Sequence, residues 1–241
     1  MFGDNSHFAG IKALVFDYGG TIDTCGRHWG RVIWEGFRKN GLPVAEPVFR
    51  EAYVHGERTL GRNPIIKPEM TFRATLATKL RIEADYMVAE GGWDASAEEV
   101  RNVCDATLDY LYEGVRRETA HSRMVLERLS RQFPMALVSN FYGNIHTVLD
   151  EFGLAAFFDA VIESAVVGVR KPDPRIFKMG VDALGVKPCE TLVVGDSISK
   201  DIFPAKSVGC KTAWLKGEGW SNGQDDETLP DMIIAGLDGL L

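Results

Sequence analysis

The sequence predicts a doubly wound α/β fold, a parallel sheet covered by helices, with a second, helical domain inserted after the first strand. Short apolar runs alternate with helical stretches in the second half of the chain, which is the pattern of a buried parallel sheet. The interval 24–115 contains amphipathic helical stretches and no strand-like run. A length of 241 residues accommodates a large core and a smaller second domain.

The composition indicates an ordinary folded protein. Hydrophobic residues make up 45% of the chain, and 27 Lys and Arg against 34 Asp and Glu give a net charge of −7. Because this balance is acidic, we expect no nucleic-acid partner. The longest apolar run, residues 154–158, is too short to span a membrane, so we expect no membrane partner either.

The expected location is the cytoplasm. Residues 1–10 have neither a basic start nor an apolar run, so we expect no signal peptide. The four cysteines form no CxxC pair, which argues against a zinc site or a disulfide scaffold and fits a reducing compartment. The sequence does not indicate an oligomeric state.

Six apolar runs predict the strands of the sheet. They are Ala13–Phe16, 135–138, 161–162, 192–194, 212–215 and Met232–Ile234. Helical patterns over 122–132, 144–152, 174–184 and 199–208 lie between them, and a polar surface loop is expected over 216–228. Ligand sites of such sheets form beyond the carboxyl ends of the strands.

The inserted region is predicted to hold four helices. Their ranges are Trp29–Lys39, 47–60, 69–87 and 97–115, separated by segments rich in glycine and proline. Four extra helices on one face of the sheet would fit as well, but the interval has the size of a domain. We therefore predict a core of residues 1–23 and 116–241 and a helical domain of residues 24–115.

The ends of the first two strands carry candidate site residues. Asp17 ends the first strand and is followed by Gly19 and Gly20, which allow close backbone approach to an exposed carboxylate. Ser139 and Asn140 end the second strand at the start of a helix and offer a site for an anion. Taken singly, each is more often a turn or capping residue.

Two later segments add a cation and an acidic pair. Lys171 precedes a stretch with two prolines, which stiffen the backbone and suit a fixed ammonium for a phosphate. Asp196 and Asp201 straddle a strand end and a helix start, where their oxygens suit Mg²⁺. Taken singly, a solvated lysine and a capped helix are the simpler interpretations of these two segments. Four strand ends of one sheet that all carry candidate site residues are unexpected by chance.

With these four segments the chain resembles the haloacid dehalogenase-like hydrolases over essentially its whole length. The matching motifs are residues 17–21, Ser139, Lys171, and Asp196 with Asp201. The resemblance implies a core of the dinucleotide-binding type, and it implies that the inserted helices are the family's first type of cap. The short interval between Ser139 and Lys171 leaves no room for the alternative cap position.

The resemblance also implies a role for each motif residue. Asp17 would be the nucleophile, and Ser139 and Lys171 would hold the phosphoryl oxygens. Mg²⁺ would be bound by Asp17, the backbone oxygen of Gly19 and Asp196, with Asp201 orienting these ligands. Further substrate contacts would come from three residues near the same strand ends: Gly20, Thr21 and Asn140. The implied partner is a small phosphorylated metabolite.

Gly19 departs from the pattern of the family's phosphatases, which carry an aspartate there as general acid and base. Such a group contributes about 10²–10⁴-fold to the rate. His28 is a possible replacement because its ordinary pKa lies near neutrality, although a capping role is more common for such a histidine. Asp23 and Tyr18 are weaker candidates.

Three alternative functions stay open at this point. The family's dehalogenases and phosphonatases also lack that aspartate, but a dehalogenase needs no metal motif. A phosphonatase needs a lysine on the cap, for which Lys39, Lys67 and Lys79 are available, although an exposed lysine is usually only a solvated charge. The third alternative is a binding or regulatory module without activity. A Mg²⁺-dependent phosphohydrolase that uses an aspartyl-phosphate intermediate accounts for the most motifs.

Overall fold

The computed structural model describes residues 8–220 and 225–241, and its core is a parallel sheet of six strands in the order β3-β2-β1-β4-β5-β6. The strands are β1 (Ala13–Phe16), β2 (Met135–Ser139), β3 (Ala160–Glu163), β4 (Thr191–Gly195), β5 (Lys211–Leu215) and β6 (Met232–Ile234). The predicted fold class is therefore confirmed. Most of the N-terminal segment expected to lack a signal, and part of the polar loop expected over 216–228, lie outside the described residues.

β1 lies at the centre of the sheet and pairs in parallel with β2 and β4. All four of its residues are fully buried. Leu14 and Phe16 face the larger hydrophobic core, and Val15 faces the smaller one on the opposite side of the sheet. A strand that is buried on both faces explains why the run is continuously apolar rather than alternating.

Four helices connect β1 to β2: α1 (Trp29–Lys39), α2 (Glu46–Arg62), α3 (Phe72–Ala89) and α4 (Ala97–Ser130). Their starts carry capping signals. His28 and Thr71 accept backbone N–H groups at the starts of α1 and α3, and Ser96 with Glu99 forms a capping box at the start of α4. The apolar faces of these helices belong to the same hydrophobic core as one face of the sheet.

α4 corrects the predicted elements of this region. The predicted helices 97–115 and 122–132 form one continuous helix, because residues 116–121 contain no glycine or proline that would end it. At about 1.5 Å per residue this helix is roughly 50 Å long. The predicted domain boundary at 115/116 falls inside α4, so we propose that α4 belongs to both units, its first half to the cap.

The other helices lie between the later strands: α5 (Ile145–Glu151), α6 (Ser164–Val167), α7 (Arg175–Ala183) and α8 (Phe203–Ser207). The helix predicted over 199–208 is instead a π-helical turn, Ile198–Ile202, followed by α8. Pro204 lacks the N–H that a regular α-helix would need at this position, which explains the irregular start. Among the described residues, no helix is long and apolar enough to cross a membrane.

Candidate active site

Asp17 follows β1 directly and lies at the carboxyl edge of the sheet. Its backbone N–H donates to the carbonyl of Val194, which continues the pairing of β1 with β4 by one residue. Asp17 is 5% exposed, and the Thr21 hydroxyl donates to its Oδ2 at 3.0 Å. The end of the central strand therefore holds this carboxylate in one position at the floor of a cavity.

Lys171 lies between two of the aspartates. Its Nζ donates to Asp17 Oδ1 at 2.5 Å and to Asp201 Oδ1 at 2.8 Å, and the side chain is almost fully buried. Asn140 holds the backbone of this residue on both sides, since its Oδ1 accepts from Lys171 N and its Nδ2 donates to Lys171 O. Asn140 thus fixes the backbone of Lys171 and, through it, the position of the ammonium.

Asp196 and Asp201 come from the end of β4 and the following π-helical turn. Asp201 uses both of its oxygens, since Oδ1 accepts from Lys171 and Oδ2 accepts from the backbone N–H of Ser197 at 3.0 Å. The carboxylate of Asp196 receives only a 3.4 Å contact from the Thr21 hydroxyl among the described residues. Asp196 is therefore the aspartate with the most free coordination capacity.

Two glycines allow this crowding of carboxylates. A Cβ on Gly20 would lie 2.4 Å from Asp196 Oδ2, and the φ of +102° at Gly20 also excludes most side chains. A Cβ on Gly195 would lie 2.4 Å from the Cβ of Asp201. The approach of Asp196 to the turn after β1, and of Asp201 to β4, thus depends on residues without side chains.

Burial and mutual repulsion govern the electrostatics of this aspartate cluster, defined as Asp17, Asp196 and Asp201. Burial raises the pKa of Asp17 to about 6 although Lys171 opposes the shift. Burial and the two neighbouring carboxylates raise the pKa of Asp196 well above its usual range. Burial lowers the pKa of Lys171, but Asp17 and Asp201 raise it by more. The pKa of Lys171 is therefore above its usual range, and the side chain is an ammonium.

The aspartate cluster fits a divalent cation. One oxygen from each of its three carboxylates can be chosen so that all lie within 4.8 Å of one another. A single ammonium cannot neutralise three carboxylates, and oxygen ligands without histidine or cysteine suit Mg²⁺ rather than zinc. The residues present therefore match the metal that the sequence predicts.

A cavity of about 370 Å³ lies between these strand ends and the helices α1–α3. Ser139 and Asn140 line it from β2, together with every residue of the aspartate cluster and Lys171. Gly19 lines it next to Trp29. The structure thus brings the predicted catalytic and metal-binding residues together at one end of one cavity. The Thr21 hydroxyl donates a hydrogen bond to this aspartate cluster.

The three candidate substitutes for an acid at residue 19 have different surroundings. His28 caps α1 through Nδ1, which accepts from Gly30 N, and burial followed by nearby Lys200 lowers its pKa to about 4. Asp23 accepts from Gly20 N and from Trp29 Nε1, and burial raises its pKa to about 7. Tyr18 is fully buried in the hydrophobic core.

Sequence reasoning missed Glu57 and Tyr142 on the cap side of the cavity and gave Lys79 only as a candidate lysine of a phosphonatase. Glu57 of α2 and Lys79 of α3 form an ion pair on its wall, and the Tyr142 hydroxyl donates to Glu57. Lys79 is 7% exposed, so the expectation that a cap lysine is merely solvated is wrong for this residue. A signal was present, because Lys79 shares the buried stripe of α3 with Leu76 and Leu80.

Comparisons with known proteins show the family of the chain. A family model described as haloacid dehalogenase-like hydrolase matches residues 11–209. The glyceraldehyde 3-phosphate phosphatase of Pyrococcus furiosus is 50% identical over 60 residues, which is 25% of each chain. The phosphoglycolate phosphatase of Aliivibrio fischeri is 26% identical over 94% of this chain and 93% of its own. The matched segment thus spans only about a quarter of the first of these relatives.

A solved structure gives the same result for the whole fold. The crystal structure of a phosphatase of this family from Thermococcus onnurineus superposes with a TM-score of 0.51 at 25% identity, covering 95% of this chain and 96% of the other. The family model covers well over half of the chain. The protein belongs to the haloacid dehalogenase-like hydrolases.

Proposed function

We propose that this protein is a Mg²⁺-dependent phosphohydrolase of small phosphorylated metabolites, with Asp17 as its nucleophile. The observation that carries the proposal is the contact of the Asp17 carboxylate with the Lys171 ammonium inside the aspartate cluster, at the floor of the cavity. The names of the phosphatase relatives support the same reaction class.

The reaction would proceed in two displacements. An oxygen of Asp17 attacks phosphorus, the bond from phosphorus to the ester oxygen breaks, and the leaving oxygen takes a proton from solvent. Water then attacks the phosphoryl group on Asp17, which releases inorganic phosphate and the free carboxylate. Lys171 and Ser139 would hold the phosphoryl oxygens, and the ammonium reduces the repulsion between Asp17 and its anionic substrate.

Mg²⁺ would be held by the carboxylates of Asp17 and Asp196 and by the backbone oxygen of Gly19. When bound, the ion neutralises part of the negative charge that carboxylates and phosphate bring together. Asp201 would support the site without a free oxygen of its own, because Lys171 and Ser197 N already occupy both of its oxygens. Gly20 and Thr21 would contribute to the phosphate site from the turn after β1.

The alternatives have weaker support. A dehalogenase has no use for the free carboxylate of Asp196. A phosphonatase needs an unprotonated cap lysine. Burial lowers the pKa of Lys79, but Glu57 raises it by more, so this pKa lies well above its usual range. An inert module would not need a buried, mutually repelling aspartate cluster, which is costly unless a cation binds.

The test is a set of parallel assays on the full-length protein. We expect release of phosphate from an aryl phosphate with Mg²⁺, loss of that activity in excess chelator, and no halide release from short 2-haloacids. A screen of phosphorylated metabolites then ranks the substrates. Halide release that survives chelation would replace the proposal with the dehalogenase, and a protein inactive in every assay would favour the binding module.

A further inference from the structure

The cap wall of the cavity contains a charged pair that the two displacements do not use. The Nζ of Lys79, on α3, forms an ion pair with the Oε1 of Glu57, on α2, and the same oxygen accepts from the Tyr142 hydroxyl at 3.0 Å. Lys79 Nζ also lies 4.4 Å from the centre of the Tyr53 ring. Three elements, two from the cap and one from the core, thus hold this pair in place.

The pair has hydrogen-bonding capacity left for a ligand. Both contacts use Oε1, so within the described part of the chain Oε2 of Glu57 has no hydrogen-bond partner, and the side chain is 31% exposed while it lines the cavity. An ammonium has three donors, of which Glu57 takes one. A partly exposed ion pair by itself contributes little to stability, so a ligand that the pair binds better explains its place on the cavity wall.

The pair selects by charge as well as by hydrogen bonding. Glu57 is ionised, because Lys79 and Tyr142 overcome the effect of burial and lower its pKa to about 2. A carboxylate on the substrate would compete with Glu57 for Lys79 and would lie against the ionised oxygen. A substrate ammonium would lie against Lys79. A charge of either sign in contact with the pair would leave one of its members without its partner, whereas a neutral group would leave the pair intact.

Vicinal hydroxyls meet these requirements. Each hydroxyl both donates and accepts, so one can donate to Glu57 Oε2 while its neighbour accepts from Lys79 Nζ. Aromatic side chains line part of the cavity and give it apolar walls; they include Trp29, Tyr53 and Trp220, of which Tyr53 and Trp220 stack on each other. This combination of a charged donor and acceptor with flat apolar walls is suited to a polyhydroxylated chain.

We propose that Glu57 and Lys79 select the leaving group, and that this group is neutral with vicinal hydroxyls, as in the phosphates of polyols and sugars. The inference rests on the proposed phosphohydrolase function and adds its substrate class. It concerns substrate binding by the cap and assigns no proton transfer to either residue.

The test compares kcat/KM for alkyl phosphates whose ester bonds are alike. With the Mg²⁺-loaded full-length protein we expect glycerol 3-phosphate and ribose 5-phosphate to exceed n-propyl phosphate, phosphoglycolate and phosphoserine at least 10-fold. Two hydrogen bonds to charged groups, which n-propyl phosphate cannot make, account for this ratio. A preference for phosphoglycolate or phosphoserine, or equal rates for glycerol and propyl phosphates, would overturn the inference.

Variants then locate the selectivity. In Glu57→Gln and in Lys79→Met the ratio of glycerol phosphate to propyl phosphate should fall toward one, whereas Lys178→Met, which removes an exposed ion pair on α7, should keep the wild-type ratio. A wild-type ratio in both cavity variants would contradict the assignment. Turnover of an aryl phosphate separates the two proposals. If the protein does not hydrolyse it, the proposed phosphohydrolase function itself is wrong. The wild-type comparison stands even where a variant fails to fold.

Discussion

Gly19 is the residue that most affects the expected chemistry. A Cβ at this position would lie 3.8 Å from the Trp29 ring, an ordinary contact, and its φ lies outside the left-handed region. A side chain therefore fits here, unlike at Gly20. Without an acid at residue 19, expulsion of a poor leaving group and hydrolysis of the aspartyl-phosphate should both be slow.

We expect Gly19→Asp to raise the turnover of alkyl phosphates by 10-fold or more, since a positioned acid and base contributes about 10²–10⁴-fold. Stopped-flow and steady-state assays on an alkyl and an aryl phosphate measure this. The wild type should favour the aryl phosphate and show a burst of leaving group, and the variant should shrink the burst. Gly20→Ala is the matched control and should lose activity. Equal wild-type rates on both esters without a burst would show that another group supplies the proton.

His28 titrates in a range that stability measurements can isolate. Its folded pKa of about 4 lies below the ordinary value of 6.5, so the unfolded chain binds more protons between these pH values. The contribution of His28 to the free energy of unfolding should therefore fall as the pH drops from 6.5 to 4, while Asp17 and Asp23, whose pKa values are raised, contribute with the opposite sign. His28→Asn keeps an acceptor for Gly30 N but does not titrate, so we expect a smaller fall, measured by urea unfolding across this range.

His28→Ala serves as the control for the cap. It should be about 1 kcal/mol less stable than His28→Asn at every pH, because the N–H of Gly30 loses its acceptor, and should show the same reduced dependence on pH. If the wild type and His28→Asn lose stability in parallel on acidification, the folded pKa of His28 is not depressed. The neutral ring accepts through Nδ1 and so carries its proton on Nε2, which leaves no site for a general base while it caps α1.

At the scale of elements, the segment after β5 packs against the cap. The Trp220 ring stacks on Tyr53 and Phe49 of α2, and Arg50 of the same helix donates to the Trp220 carbonyl at 2.9 Å. A Cβ on Gly30 would lie 2.0 Å from this ring. The absence of a side chain on α1 therefore lets a core segment cover one end of the cavity.

Trp220→Ala should loosen the contact between cap and core. We expect a higher KM for small substrates, faster limited proteolysis within α1–α2, and a loss of roughly 2 kcal/mol, below the range for a fully buried tryptophan. Gly30→Ala should displace the ring and act in the same direction. Gly114→Ala in α4, where a methyl group meets nothing within 4 Å, should instead stabilise by about 0.5–1 kcal/mol. Wild-type KM and proteolysis in Trp220→Ala would rule out this role.

The elements differ in how far local sequence predicts them. β1 and β4 are apolar runs ended by aspartate, and both their positions and their chemistry follow from a few consecutive residues. α4 could not be delimited in this way, because its two halves pack against different neighbours and their apolar stripes appear as separate helices. The π-helical turn before α8 depends on Pro204 together with the bonds of Asp201, a combination that periodicity does not reveal.

At the scale of the whole molecule, charge links metal binding to stability. The aspartate cluster has a single ammonium for compensation, so Mg²⁺ should raise the melting temperature by roughly 5–10 °C at about 100 times its dissociation constant. Asp196→Asn removes one of the repelling charges and a ligand. We expect this variant to melt higher than the wild type in chelator and to lose most of the response to Mg²⁺, as measured by calorimetry.

Asp105→Asn, an exposed position on α4, is the matched control and should keep the full response to Mg²⁺. If Asp196→Asn responds to Mg²⁺ like the wild type, or melts lower in chelator, then Asp196 neither binds the metal nor contributes to repulsion.

The fold class was predictable because strands and helices alternate along the chain, and the carboxyl ends of parallel strands meet at one edge of the sheet. From this rule, the sequence alone predicts that Asp17 and Lys171 lie in one site. The cap side of the cavity was not predictable, since Glu57 meets Lys79 and Tyr142 only through the packing of α2 on α3 and on the core. The charge of Lys79 on the buried stripe of α3 was the one available sign.

The central claim is that Asp17 attacks phosphorus, and trapping the phosphoryl group on the protein tests it most directly. The wild type is mixed with an aryl phosphate and Mg²⁺, quenched in acid within the burst, and analysed by intact and peptide mass spectrometry. We expect one phosphoryl group on Asp17, and in Asp17→Asn neither this group nor turnover, with an unchanged circular dichroism spectrum. A phosphoryl group on another residue, or wild-type turnover by Asp17→Asn, would contradict the account.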